Sequence, residues 1–535
     1  MDRFDLAVLA AFAALGCSFL AILLINGGTV VGAEGFVIAD QMQYFNWVRQ
    51  SGDHVLIANG FDMRPDEHTL LHPGMLLSGG LYALGLSVPL AYLVWKPVGI
   101  VVFFWGARRY VWRLIEGTWE RRVALVLALF FIPPVVAVFG PLESAKRVYD
   151  FLGGGETEGT LDFIAQQLWA PGQLWGYLMN AIALGVMPLA FLLCERALAE
   201  VRERGAAAPR TSLLAAAATL LVSWLHPWHG ATMVAIIGLA VLWHVRAGEA
   251  TLHDAVRALW LPLAVIALPL LYFSILTRAD PAWAIYEEGN DDLPRWPAWT
   301  IAISLGPLLV PALLGYRGPV RGLQERIVRV WPIAALLVYL APVGFFPFHA
   351  FTGLAIPLSI LAVRGAAPYV RRIGAPRLAA ATMVAAVALL TLPGTFDRVR
   401  KARTAVLTNQ AYRLQPGERE ALDALERDPR PGGVLAAVDL GQLIPHSTGR
   451  ETWLGTLSWT PNFDARQRAV DDFFAGRSSP EQMRRLVRSS GVGFVLAGCG
   501  EGRSFERRVN GLLGSPESFG CATLYRVEGG RGAAG

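Results

Sequence analysis

The stretch "HPGMLLSGGLYALGLSVPLAYLVWKPVGIVVFFWGARR", residues 72–109, decides how the chain is read. It opens on a His-Pro step and runs apolar to the basic pair Arg108-Arg109, with Lys96 as the one charge inside it. The run is longer than the ~20 residues a membrane helix needs, long enough for one crossing and a short helix as well. We read residues 72–86 as a helix lying at or dipping into the outer membrane surface, followed by a span over about 88–106. Just upstream, "VIADQMQYFNWVRQSGDH", residues 37–54, follows an apolar run from about Leu6 to Ile25. That order sets a carboxylate, Asp40, beside the membrane surface, with Tyr44, Phe45 and Trp47 close behind it.

Composition places the rest of the chain around these segments. Of 535 residues 54% are hydrophobic and 17% charged, an apolar content above that of an ordinary soluble domain. The formal charge of +5 does not signal a nucleic-acid partner, because the arginines sit in short segments between apolar runs. Those runs recur at about 123–140, 174–194, 211–226, 230–245, 257–277, 299–316, 328–345, 348–364 and 376–393. The first apolar run has only Arg3 as a positive flank and no clear cleavage site, so it is expected to be a retained span.

Two kinds of loop alternate along the chain. "ARRYVWRLIEGTWERR", "CERALAEVRERGAAAPR", "WHVRAGEATLHDAVR", "YRGPVRGLQERIVR" and "VRGAAPYVRRIGAPR" are arginine-rich, which the positive-inside rule assigns to the cytoplasm. The Asp40 loop, residues 141–173, "LHPWHG", "RADPAWAIYEEGNDDLPRWP" and "FFPFHAF" are acidic, aromatic or histidine-bearing and then face outside. The expected fold is a mainly α, polytopic transmembrane bundle of about eleven spans (1–393), followed by a small exterior α/β domain (394–535). The N-terminus is expected in the cytoplasm of a plasma-membrane protein and the tail outside.

The tail changes character. "GGVLAAV", "GVGFVLAG" and "ATLYRVE" read as short strands, and "SPEQMRRLVRSSG" as a helix capped by Ser479. Cys17 and Cys194 lie in apolar runs, whereas Cys499 and Cys521 lie in the tail, at no zinc-binding spacing. If the tail is exterior, these two can form a disulfide around a glycine-rich excursion.

Chemistry on the outer face has no ATP or nucleotide sugar to draw on, so group transfer there needs an activated donor carried by a lipid. Asp40 could take the proton of an attacking acceptor hydroxyl. It could equally cap the helix that begins "QMQYFNWVRQ". His72, His226, His229 and His349 all fall at exterior ends of spans, and Trp228 in "HPWHG" could stack on a sugar or prenyl chain. Each histidine could instead be an ordinary interfacial side chain. Lys96, a charge within an apolar run, could neutralise a phosphate or merely snorkel to an interface. Trp169 and Trp175 suit the rim of a cleft or an aromatic belt. His446 and Arg450 could reach the mouth of such a site, while Gly449 reads as a turn.

A first membrane helix, an exterior loop with an acid soon after it, an aromatic-rich helix, and then the His-Pro segment ending on a basic pair together resemble the GT-C membrane glycosyltransferases. The similarity covers roughly the first 110 residues. It implies a polyprenyl-phosphate-linked sugar as donor, an exterior glycan, lipid or protein as acceptor, and Asp40 as the catalytic acid of the first exterior loop. Tyr44, His72, Lys96, His226, Trp228, His229 and His349 then become donor- or acceptor-binding candidates. Unlike subfamilies with two acids around one residue, this chain follows Asp40 with Gln41 and Met42, the next nearest acid being Glu34. A divalent metal, which wants several oxygen ligands, therefore finds no paired-acid motif in support, and no cofactor is assigned. With a single base and no second carboxylate, transfer is expected to invert the anomeric centre. The competing class is a secondary transporter or lipid-linked-saccharide flippase with the histidines and Lys96 along its pathway. Against it, no repeat halves are visible and acids within spans are scarce. A non-catalytic scaffold is a third possibility.

Overall fold

The computed structural model describes residues 1–27, 29–64, 67–288, 295–341, 346–509 and 511–528. The expected acids Asp291 and Asp292 lie outside these.

The protein is mainly helical. Among the described residues eight helices are long and apolar enough to cross a membrane: Arg3–Ile25, Val88–Leu114, Leu178–Arg204, Pro227–Arg246, Leu252–Ala279, Ala298–Gly315, Pro347–Arg371 and Pro376–Thr408. Pro209–Leu225 is apolar but shorter. This is a multi-pass membrane protein, with eight such helices where about eleven crossings are expected from sequence. One of the expected runs, 123–140, is split. The helix Thr118–Phe130 stops before Pro133-Pro134 and a separate helix, Val136–Glu143, follows, because proline has no N–H to donate to the helix ladder and its ring clashes with the preceding turn.

The chain forms two compact units, one of Met1–Phe19, Trp95–Phe273 and Leu293–Arg403, the other of Leu20–Val94, Ser274–Asp292 and Thr404–Gly535. The sequence reading draws one boundary near residue 394; the compact units instead group the tail with the first loop region and with residues 274–292.

The first unit is a helical bundle in which glycines let backbones touch. A Cβ on Gly106 would meet the Gly185 carbonyl oxygen at 1.9 Å, so helices Trp95–Leu114 and Leu178–Arg204 cross where neither has a side chain. The same device joins Ala298–Gly315 to Ala355–Arg371, where a Cβ on Gly315 would lie 2.1 Å from the Leu361 carbonyl oxygen. Lipid tails are as apolar as leucine, so close van der Waals packing of this kind, and not water exclusion, holds such helices together. Arginines of the basic loops are bound into the bundle as well. Arg326, 1% exposed, forms two hydrogen bonds to the Glu249 carboxylate at 2.8 and 3.0 Å.

The second unit holds the helices Ile38–Gln50, Pro73–Ala83 and Pro281–Glu288 and a four-stranded sheet. The sheet runs in the order Val434–Ala436, Phe494–Ala497, Ala522–Arg526, Glu517–Phe519. Its first pair is parallel, with Val434 opposite Phe494, and the others are antiparallel. The helices Phe463–Phe474 and Pro480–Ser490 pack Val470, Phe473, Phe474, Met483 and Val487 on the sheet residues Leu435, Val495 and Tyr525. Ser479 caps the second helix, its side chain accepting from the Gln482 amide while the Gln482 side chain accepts from the Ser479 amide. Cys499 and Cys521 are joined as a disulfide with their Cα atoms 4.8 Å apart. A short pair the sequence does not announce, Thr29–Val30 against Arg413–Leu414, ties the start of the first loop to the tail.

Candidate active site

In the second unit, Asp40 lies in the first turn of Ile38–Gln50, whose N-cap is Val37. It is thus the third residue of the helix and not its cap. The free amides of that first turn favour a negative charge there. Asp40 is half-buried, as are Tyr44 and Tyr286. Burial pushes the phenol of Tyr44 well up, and the Asp40 carboxylate adds to this; the same two causes, in the same order, raise Tyr286. Both hydroxyls therefore stay protonated and can donate to an oxygen near Asp40.

Behind these three lies a buried aromatic wall. Tyr44 stacks on Tyr92 with ring centroids 5.9 Å apart, and Tyr286 stacks on Trp459 at 4.8 Å. Trp47, Trp283 and Trp459 surround one another at 5.0–6.0 Å. Asn59 stitches the wall's three segments together. Its side-chain amide donates to the carbonyls of Ala282 (3.3 Å) and Trp459 (3.0 Å), and its carbonyl oxygen accepts from the Phe61 amide (3.0 Å).

His72 caps the helix Pro73–Ala83, its Nδ1 accepting from the Met75 amide at 3.3 Å, with its ring 6.1 Å from that of Trp47. Burial pulls its pKa down to about 4, so it is a neutral ring at neutral pH and supplies no positive charge for a phosphate. His446 is likewise buried, held down to about 4 chiefly by burial, and packs on Phe45 at 5.6 Å. Arg450 is committed to the fold. It donates to the carbonyls of Leu425, Asp428, Arg430 and Gly432 and lies over the Phe494 ring. Gly449 beside it adopts φ +73°, the turn expected of it.

In the first unit three histidines meet. The rings of His226 and His229 stack at 4.1 Å, and His349 approaches His226 edge-on at 4.9 Å. The "HPWHG" step brings this about: His226 ends Pro209–Leu225, Pro227 starts the next helix, and Gly230 lets the pair close, since a Cβ there would strike Ser223 at 2.3 Å. Amides hold the rings. His229 Nε2 is bonded to Asn180 Oδ1, Asn180 donates to Gln173, and His349 Nδ1 is 3.3 Å from Gln167 Oε1, which also accepts from Thr352. Trp228 is half-buried in the first turn of Pro227–Arg246. Lys96, 5% exposed, does not snorkel: its ammonium donates to the carbonyls of Gly16 (2.9 Å) and Leu174 (2.6 Å). Trp169 and Trp175 form no rim, being 1% and 2% exposed and packed edge to face at 4.9 Å. Among the described residues no group of three or more His, Cys, Asp or Glu is arranged to hold a metal ion.

Set beside solved structures, this architecture has a counterpart along its whole length. ArnT from Cupriavidus metallidurans, solved bound to undecaprenyl phosphate, aligns over 97% of this chain and 97% of its own, with a TM-score of 0.53 and 11% identity. The chain has the GT-C fold. The apo form of the same ArnT aligns over 96% of this chain and 97% of its own at TM-score 0.49 and 12% identity. The oligosaccharyltransferase AglB from Archaeoglobus fulgidus, in complex with an inhibitory peptide and a dolichol-phosphate, aligns over 93% of this chain and 69% of its own at TM-score 0.43 and 12% identity. No protein-family model matches the chain, and no curated protein matches it in sequence.

On this GT-C scaffold Asp40, Tyr44 and His72 belong to one compact unit, and Lys96, His226, Trp228, His229 and His349 to the other. Sequence reasoning missed Tyr286, Trp459 and Asn59 around Asp40, and Asn180 and Gln167 around the histidines. Asn180 alone carried a visible signal, a polar side chain inside an apolar helix.

Proposed function

We propose that the protein is a membrane glycosyltransferase that moves a sugar from a polyprenyl-phosphate donor to a hydroxyl of a glycan, lipid or protein at the outer face of the plasma membrane. Asp40 is the base. It takes the proton of the acceptor hydroxyl as that oxygen bonds to the anomeric carbon, and the bond from that carbon to the phosphate oxygen breaks. The polyprenyl phosphate leaves with the bonding electrons, and the anomeric centre inverts. Tyr44 and Tyr286, protonated and within the field of the Asp40 charge, orient the incoming oxygen. His226, Trp228, His229 and His349, with Asn180 and Gln167, supply hydrogen bonds and a ring face to polar groups of donor or acceptor. His72 acts within its own unit as a helix cap, and Lys96 within its own as a clamp on two backbone carbonyls. Segment 394–535 and the Asp40 loop lie outside and the N-terminus inside. No metal is invoked.

One observation carries this reading: a half-exposed carboxylate in the first turn of a helix, whose charge reaches two phenols and helps retain their protons, in a chain with the fold of a protein solved with undecaprenyl phosphate. The test is Asp40→Asn in purified protein, assayed for transfer and for binding of undecaprenyl phosphate. Removing a general base lowers turnover by roughly 100- to 10,000-fold, while lipid binding stays near that of the unaltered protein. Turnover within a few-fold of normal removes Asp40 from the mechanism.

A further inference from the structure

The second unit carries a basic cavity apart from Asp40. Its volume is about 730 Å3, and it is lined by Glu481, Arg484, Arg485, Arg488, Ser489, Gly511 and Leu512. That size falls in the ~300–1,000 Å3 range of small-molecule sites. Its construction follows from the sequence "PEQMRRLVRSS". Met483 and Val487, four residues apart, are 1% exposed and locked into the core of the sheet domain. This fixes the rotation of the helix and turns Arg484, Arg485 and Arg488 outward, with Arg484 and Arg488 one turn apart. The opposite wall is anchored by Leu512, 6% exposed, and is turned by Gly511 at φ +79°.

Among the described residues none of these three guanidiniums has an ion-pair or hydrogen-bond partner within the protein. Several other tail arginines are instead bound: Arg477 to Asp472, Arg526 to Asp428 and Glu517, Arg450 to four carbonyls. Among the described lining residues Glu481 is the one acid, and together they carry a net charge of +2. Planar forks of this kind match the oxygens of a phosphate.

We propose that this cavity is a binding site for a phosphate-bearing ligand, held by Arg484, Arg485 and Arg488. It is independent of the glycosyltransferase reading. The phosphate can belong to a soluble molecule or to a lipid headgroup, and the experiment separates the two. Full-length protein is placed in nanodiscs of phosphatidylcholine alone, or with phosphatidylglycerol, and titrated with fluorescently labelled tripolyphosphate at two salt concentrations. In the neutral discs the expected result is saturable binding that weakens with salt, and that the combined Arg484→Ala, Arg485→Ala, Arg488→Ala variant reduces at least tenfold. Glu481→Gln tightens it. Equal affinity in both discs identifies a soluble ligand; affinity lost when phosphatidylglycerol is present identifies the headgroup. The three arginines are exposed, so the variant keeps its near-ultraviolet circular dichroism, which is checked first. No saturable binding in neutral discs, or equal binding by the folded variant and the unaltered protein, overturns the proposal.

Discussion

Asn59→Ala is the sharpest test of how the wall behind Asp40 is held. The side chain is 3% exposed and makes three hydrogen bonds, but these are unequal. The Ala282 carbonyl lies inside the helix Pro281–Glu288, where the ladder already supplies a partner, and its 3.3 Å contact with Asn59 is long. The Trp459 carbonyl and the Phe61 amide lie outside regular structure, at 3.0 Å each, and lose their Asn59 partner outright. Each buried group left unpaired costs about 1–3 kcal/mol, so the substitution costs roughly 3 kcal/mol in all, with the tail segment at Trp459 more affected than the helix of Tyr286. Trp459 stacks on Tyr286, so its release also frees the phenol next to Asp40.

Two signals follow. The melting temperature falls by about 5 °C or more, and near-ultraviolet circular dichroism from the Trp47, Trp283 and Trp459 group weakens while the helical signal is kept. At a temperature where the variant is folded, turnover drops about tenfold or more, as a misplaced site requires. Asn59→Asp does not rescue, because a carboxylate faces two carbonyl oxygens where an amide had donated. A variant with unaltered melting temperature and aromatic signal refutes the reasoning. One that melts early but turns over normally while folded shows that Asn59 holds the fold and not the site.

The remaining predictions concern the tail, the histidines and the orientation. Replacing Cys499 and Cys521 by serine, which opens a bridge spanning a sequence separation of 22, costs roughly 3 kcal/mol in the chain-entropy model; mass mapping of unreduced protein finds the bridge, and two free thiols count against an exterior tail. His72, pulled from 6.5 to about 4 by burial, takes up its proton later in the folded than in the unfolded chain. Stability is therefore independent of this group above pH 6.5, falls as pH drops from 6.5 to about 4 by up to about 3 kcal/mol, and is level below that. Melting curves of His72→Asn, which keeps a capping oxygen, show a shallower acid slope, and an unchanged slope removes His72 as its source. For orientation, Glu156→Cys is labelled by a membrane-impermeant maleimide on intact cells and Glu203→Cys is not; the reverse pattern inverts the topology.

What the sequence revealed and what it hid follow from how far apart the interacting residues lie. Local signals were legible. The His-Pro opening of Pro73–Ala83, the Ser479 cap, the turn at Gly449 and the strands Val434–Ala436, Phe494–Ala497 and Ala522–Arg526 each depend on a few neighbouring residues. Lys96 was legible as unusual, but its reason was not, because its two acceptors, Gly16 and Leu174, are each more than seventy residues away. Asp40 shows the same limit from the other side. Its position was readable from the loop, yet Tyr286 and Trp459 come from segments no periodicity links to it. Their ordinary tyrosine and tryptophan codes carried no mark of the wall they form.

The three histidines carry the argument one step further. Their shared position at helix ends marked them as donor- or acceptor-binding candidates. The structure surrounds them with amides, Asn180 for His229 and Gln167 for His349. An amide can accept from an imidazole or donate to it, but it does not hold a proton there as a carboxylate does. The cluster is therefore built to sort hydroxyls by direction more than to bind charge, which suits the sugar end of a glycosyl donor or acceptor better than its phosphate. In the proposed function the phosphate must then find its cations elsewhere. Lys96 is taken by two carbonyls and His72 is a neutral cap, so the search for those cations belongs among arginines that the sequence assigned only to topology.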